Sequence, residues 1–197
     1  MVEYHLKTPI SEEDVRMLKA GDTVYITGVM FTARDAAHGR ALEYYEEGRK
    51  PPIEMKGFAL FHCGPLVRKA CGKWEVVSAG PTTSARMEIF EGEFIEKFGV
   101  RVIVGKGGMG PRTTEAMEKF GAVYCAYTGG AGALAGKAIK RVKSVEWLDL
   151  GMPEALWVLE VEDFGPLIVA IDTQGNNLYA DVMKQVEKNK EKIYQKI

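Results

Sequence analysis

The sequence predicts an α/β domain with a mixed sheet that can curl toward a barrel. Three observations carry that reading. Strand-like and helix-like segments alternate through the middle of the chain, extra strands flank them, and three strand-to-helix junctions carry unusual, glycine-rich chemistry. At 197 residues the length suits one domain, 1–197, with a proper core. No internal repeat and no Ser/Pro linker divides it.

The elements follow in order. Ser11-Glu12-Glu13-Asp14 opens a short helix, with a serine cap and acids in its first turn; Val15 and Leu18 form its apolar stripe and Gly21 its end. Thr23–Thr27 is β-branched and aromatic, hence a strand. Asp35–Tyr45 reads as a helix that Pro51-Pro52 stops, and Phe58–Phe61 and Trp74–Ser78 read as strands. Met87, Phe90, Phe94, Ile95 and Phe98 then make one helical stripe. Val100–Val104 is a strand, Thr113–Phe120 a helix and Val123–Tyr127 a strand. Ala133–Val142 reads as a further helix. Trp157–Val161 and Leu167–Ile171 read as two strands with loops around Gly165-Pro166, before a charged helix over Leu178–Lys192.

Composition excludes several classes. With 26 basic and 27 acidic side chains the net charge is −1, which argues against a nucleic-acid or polyanion binder. No apolar run approaches the ~20 residues that span a bilayer, and the start, Met1-Val2-Glu3-Tyr4-His5, has no apolar signal core. Three cysteines, Cys63, Cys71 and Cys125, lack paired spacing, so a disulfide framework is not expected and a reducing cytoplasm is the natural compartment.

Among local motifs, Gly130-Ala131-Gly132-Ala133-Leu134-Ala135 fits a dinucleotide fingerprint, with Asp149 near the distance of a ribose acid. Too little chain follows for most of a nucleotide-binding sheet, and close packing of a strand–helix turn explains the same glycines. A phosphate loop at Gly136-Lys137 is rejected, because Ala138 replaces the magnesium-binding hydroxyl. His62, Cys63 and Cys71 have no zinc spacing; a three-cysteine cluster is conceivable by count, yet Cys125 sits mid-strand as a core thiol would. His5 and His38 are single. What remains is a set of cations and hydroxyls at turns: Arg34 at one helix entrance, Thr82, Thr83 and Arg86 at another, and Lys106 among glycines. Two arginines and a lysine beside exposed N–H groups suit a substrate with two carboxylates.

Five stretches resemble the β subunit of class I fumarate hydratase. They are Thr32-Ala33-Arg34-Asp35-Ala36-Ala37-His38, Gly80-Pro81-Thr82-Thr83-Ser84-Ala85-Arg86-Met87, Gly105-Lys106-Gly107-Gly108-Met109-Gly110-Pro111, Leu150-Gly151-Met152-Pro153-Glu154-Ala155 and Phe164-Gly165-Pro166-Leu167-Ile168-Val169. They cover nearly the whole chain in the family's order. The β subunit of tartrate dehydratase shares most of them, while Ala36 and Ala37 lean toward the fumarase branch. The resemblance implies a swivelling β/β/α domain and a hydro-lyase interconverting fumarate and malate. It implies a [4Fe–4S] cluster held by three cysteines of an α subunit and not by this chain, in an α2β2 heterotetramer in the cytoplasm. Carried over by motif, Arg34, Arg86 and Lys106 grip substrate carboxylates and Thr82 takes part in proton transfer. Asp35, His38 and Thr83 support them. The readings of another kind are tartrate dehydration on the same site, and a nucleotide-binding regulatory module around Gly130 and Asp149.

Overall fold

A computed structural model describes residues 2–195; Met1, Lys196 and Ile197, the extremes of the expected 1–197 domain, lie outside the described residues. Seven strands form one mixed sheet: β1 (Glu3–Lys7), β2 (Thr23–Thr32), β3 (Ala59–Phe61), β6 (Val102–Gly105), β7 (Val123–Ala126), β9 (Leu156–Ile171) and β8 (Ile139–Glu146), in that spatial order. The strands β1, β2, β3, β6 and β7 run parallel, as consecutive neighbours. β9 runs antiparallel to both β7 and β2, and so closes β2-β3-β6-β7-β9 into a five-stranded barrel. The expected barrel-like mixed sheet is what the chain forms. A separate hairpin joins β4 (Leu66–Ala70) to β5 (Lys73–Ser78).

Side chains of the parallel strands alternate between two cores, as the period of two demands. Ala59, Phe61, Val102, Val104, Val123 and Cys125 point into the barrel with Trp157, Phe164 and Val169. Leu60, Ile103 and Tyr124 point out, beneath helices α2 (Asp35–Glu46), α3 (Glu88–Phe98) and α4 (Pro111–Phe120). Both faces are therefore buried, and the strands read as continuous apolar runs.

The first helix, α1 (Glu12–Arg16), begins on a capping box: Ser11 Oγ accepts from the Asp14 N–H, and the Asp14 carboxylate accepts from the Ser11 N–H. Glu88 plays a similar part for α4, where the Gly110 N–H donates to it at 2.7 Å and the Thr113 hydroxyl at 2.7 Å. Asn177 caps α6 (Leu178–Tyr194) by accepting from the N–H groups of Tyr179 and Ala180. Among the described residues, no helix is long and apolar enough to cross a membrane.

Three expectations need correction. The helix expected over 133–142 stops as α5 (Gly132–Ala138), and β8 takes over from Ile139. Its apolar residues Ile139, Val142 and Val145 recur every third position because the register against β9 slips twice, and that spacing imitates a helix. The two strands expected over 157–161 and 167–171 are one continuous strand, β9, which exchanges partners along its length instead of breaking at Gly165-Pro166. Finally, β2 runs five residues past the expected Thr27, carrying its end to the Arg34 turn. The edge strand β1 and the hairpin strand β4 carry mostly exposed, charged side chains and gave no strand pattern.

Candidate active site

Four parallel strands, β2, β3, β6 and β7, deliver their carboxyl ends to one edge, the place where α/β sheets gather ligands. Arg34 follows β2 by two residues, His62 and Cys63 follow β3, and Lys106 follows β6. Beyond their paired residues, β3 and β6 part, and residues 81–84 fill the opening. Pro81 bridges to Cys63 and Thr83 to Lys106. The Thr82 N–H donates to the His62 carbonyl at 2.6 Å, and the Ser84 N–H to the Lys106 carbonyl at 2.8 Å. A 3-10 turn, Ser84–Met87, then leads into α3 and carries Arg86.

This insertion joins the expected residues. Thr82 is half-buried, while Thr83 and Lys106 are exposed on either side of it. Arg86 reaches across to Asp35, Nη2 to Oδ2 at 2.8 Å, which ties the 3-10 turn to the start of α2. Arg34 Nε lies 3.2 Å from Glu154 Oε1, and the other oxygen of Glu154 accepts from the Ala36 N–H at 3.0 Å. Glu154 thus orients Arg34 and satisfies an N–H at the helix start in one stroke. Among the described residues Lys106 forms no ion pair. The side chain of Arg86 is 53% exposed and that of Arg34 20%. Arg86 and Lys106 therefore stand on an open face, with Arg34 largely covered. A cleft of about 730 Å³ does exist, but it lies at the carboxyl ends of α3 and α4, between Lys50–Lys56 and Phe120, away from these residues.

Beneath the face lies a cluster that sequence reasoning saw only in part. His38, His62 and Glu91 are fully buried. His62 Nε2 is 2.8 Å from Glu91 Oε2, and His62 Nδ1 is 2.9 Å from the Ser84 hydroxyl. Ser84 Oγ in turn accepts from the Tyr124 hydroxyl at 3.0 Å. His38 Nδ1 lies 2.9 Å from the Arg34 carbonyl, and its Nε2 stands 3.3 Å from Glu91 Oε2, off the line of a well-formed hydrogen bond. Burial pushes the Glu91 carboxyl up, but its pairing with His62 and His38 outweighs burial and holds it at about 2. Burial also holds the His62 imidazole below its usual range, against the pull of Glu91. The sequence signal for Glu91 was its position: it falls on the buried stripe of α3 between Met87 and Phe94.

Gly105 makes this cluster possible. A Cβ there would lie 1.9 Å from Ser84 Oγ and 3.2 Å from His62 Nδ1. By contrast, Gly132 of the fingerprint-like turn presses on Ser78 and on the backbone of Gly80, as a packed strand–helix turn does. Asp149 is engaged by Arg40 at 2.7 Å, and α5 feeds an antiparallel strand, so no parallel βαβ unit surrounds that turn. The cysteines do not form a ligand set either. Cys63 and Cys125 sit in the barrel core with their thiols pushed up to about 12 by burial, and Cys71 is exposed in the β4–β5 turn.

A family model described as the fumarase C-terminus matches residues 1–182. The chain belongs to that family. Among relatives, the L(+)-tartrate dehydratase subunit beta of Escherichia coli strain K12 is 48% identical over 192 residues, 98% of this chain and 94% of its own length. A Methanocaldococcus jannaschii protein named putative L(+)-tartrate dehydratase subunit beta is 47% identical over 178 residues, 90% of this chain and 91% of its own. A Geobacillus stearothermophilus protein named putative fumarate hydratase class I is 42% identical over 180 residues, which is 91% of this chain but 34% of that protein. The resemblance carried by the five motifs holds for the fumarase and tartrate dehydratase β family as a whole.

Proposed function

We propose that this chain is the β subunit of an iron–sulfur-dependent hydro-lyase that reversibly hydrates fumarate to (S)-malate together with an α subunit. The observation that carries the reading is the open face itself: Arg34, Arg86 and Lys106 border the Thr82 turn where parallel strands end. Three cations offset the two negative charges of a dicarboxylate, and the planar arginine forks match carboxylates in geometry. Glu154 and Asp35 hold the two forks in place while leaving other N–H groups for substrate. Thr82 moves the proton at the substrate carbon next to the hydroxyl-bearing one. A threonine hydroxyl is a poor base, so an ionised acid from the partner must share that task. A [4Fe–4S] cluster, held by three cysteines of the α subunit, would supply a Lewis-acid iron for the substrate hydroxyl. The cysteines of this chain do not suit that cluster, since two are buried core thiols and the third is apart in a hairpin turn. The complex is an α2β2 heterotetramer of the cytoplasm in this reading, with the described chain acting as one catalytic domain.

L(+)-tartrate is the second reading, favoured by relatives of that name at 48% and 47% identity against 42% for the fumarate hydratase. One experiment separates the two. The chain is co-produced anaerobically with its α subunit and iron, and fumarate hydration and tartrate dehydration are compared by kcat/KM. Fumarate should be preferred, and the isolated chain should be inactive. Preference for tartrate selects the second reading, and robust turnover by the metal-free isolated chain would sink both.

A further inference from the structure

The buried cluster below the open face has a definite arrangement of hydrogens. A carbonyl only accepts, so His38 Nδ1, 2.9 Å from the Arg34 carbonyl, carries a proton. The other ring nitrogen of His38 stands 3.3 Å from the ionised Glu91 carboxylate, without the alignment of a hydrogen bond. His62 donates from Nε2 to the same carboxylate oxygen at 2.8 Å, which leaves Nδ1 to accept from the Ser84 hydroxyl. Ser84 then has a free oxygen lone pair, and the Tyr124 hydroxyl donates into it. The hydrogens run in one direction, from Tyr124 through Ser84 and His62 to Glu91, while His38 donates to the Arg34 carbonyl. The Glu91 charge sits in a dry interior and depends on its imidazole donor.

The cluster touches each loop of the candidate site. His38 holds the backbone of the Arg34 turn. His62 holds the 81–84 insertion twice, through its carbonyl to the Thr82 N–H and through its ring to Ser84. Ser84 holds the Lys106 loop through its own N–H. We propose that His38, Glu91, His62 and Ser84 are positioning residues, a buried imidazole–carboxylate–imidazole–hydroxyl cluster that sets the spacing of Arg34, Thr82 and Lys106. The proposal rests on the reading of that face as a dicarboxylate site. Two imidazoles and a carboxylate could also hold a metal ion. Tetrahedral zinc, however, keeps its ligand atoms about 3.3 Å apart at its usual bond lengths, and His62 Nε2 and Glu91 Oε2 are at the hydrogen-bond distance of 2.8 Å.

Two measurements test it. The first uses the unmodified chain with ¹⁵N-labelled histidine and reads the ring nitrogens by NMR at neutral pH, with exposed His5 as internal reference. His38 should carry a ring proton on Nδ1, and His62 one on Nε2 with Nδ1 bare. The second uses the enzyme assembled with its α subunit and compares Ser84→Ala with Glu91→Gln. Ser84→Ala keeps the Glu91 charge and removes the hydroxyl that bonds the His62 ring and Tyr124, so it serves even if Glu91→Gln does not fold. It should raise KM for the dicarboxylate about 10-fold with a smaller change in kcat, as expected for displaced binding groups. A purely structural role would lower the melting temperature and leave KM alone. A bare Nδ1 on His38, a proton on Nδ1 of His62 in place of Nε2, one equivalent of metal retained by the cluster, or an unchanged KM and kcat in Ser84→Ala would each overturn the proposal. If the unmodified complex turns over no dicarboxylate, the functional reading fails by itself, and the NMR result still decides whether the hydrogen-bonded chain exists.

Discussion

Two glycine-rich turns, residues 105–110 and 129–132, occupy matching places in this fold. Each follows a parallel strand at the same sheet edge, β6 or β7, and each leads into a helix, α4 or α5. What lies against them differs. Gly105 is pressed on Ser84 and His62, and Gly110 donates its N–H to Glu88, so the first turn is built onto polar side chains and carries Lys106 outward. Gly132 is pressed on Ser78 and the Gly80 backbone, and Gly130 has open space around it. Glycine content marks close approach in both turns. The groups being approached separate a turn built on the buried polar cluster from one that only packs.

Substitutions break the comparison at different points. Gly105→Ala should have the largest effect. Its Cβ would sit 1.9 Å from Ser84 Oγ, and a buried serine held by His62 and Tyr124 has nowhere cheap to go. Overpacking of this kind costs about 1–3 kcal/mol, and displacement of the site loops should lower kcat/KM by about 100-fold. Thermal melts and steady-state kinetics on the assembled enzyme read both.

Acid should separate the turns next. Glu91 is depressed to about 2 from 4.5, so its contribution to stability is complete above pH 4.5 and is lost as pH falls toward 2. His62 is also depressed, chiefly by burial, so the unfolded state takes up its proton first and stability declines as pH falls below 6.5. Both trends run the same way. Hydrogen-exchange protection of the Ser84 amide, bonded to Lys106, should therefore fall on acidification before that of the Ala79 amide, bonded to Gly132. Equal loss at both amides would show that the cluster does not underlie the first turn.

Smaller effects belong to the second turn. Gly132→Ala meets the Gly80 backbone nitrogen at 3.0 Å and should cost stability by about 1–3 kcal/mol, with KM unchanged. Gly130→Ala meets nothing within 4 Å, but its φ of 82° is unfavourable for a side chain, worth about 1 kcal/mol. A raised KM in either variant would mean that the second turn also shapes the site.

Much of this was legible because local chemistry and global fold agree. The Ser11–Asp14 capping box, the stripe of α3 and the apolar strands β6 and β7 each follow a simple period or motif. β8 was not legible, since bulges against β9 spaced its apolar residues like those of a helix. β9 was not, because Gly165 and Pro166 mark a stop in sequence while pairing to three neighbours carries the strand through them. The cations and threonines of the site stood out, as they occupy turns. Glu91 did not, because an acid inside an apolar stripe reads as a solvated residue until two histidines from distant segments are brought over it. Only tertiary structure joins His38, His62 and Glu91.

In the proposed reaction the 81–84 insertion moves a proton while the surrounding cations grip the substrate. Thr82→Val keeps the shape and removes only the hydroxyl. Solvent deuterium exchange at C3 of malate, measured on the complex of this variant with the α subunit, reads that proton directly. Exchange and kcat should fall together by roughly 10²–10⁴-fold, with KM nearly unchanged. Exchange at the unmodified rate would place the proton path wholly in the partner subunit and contradict the account.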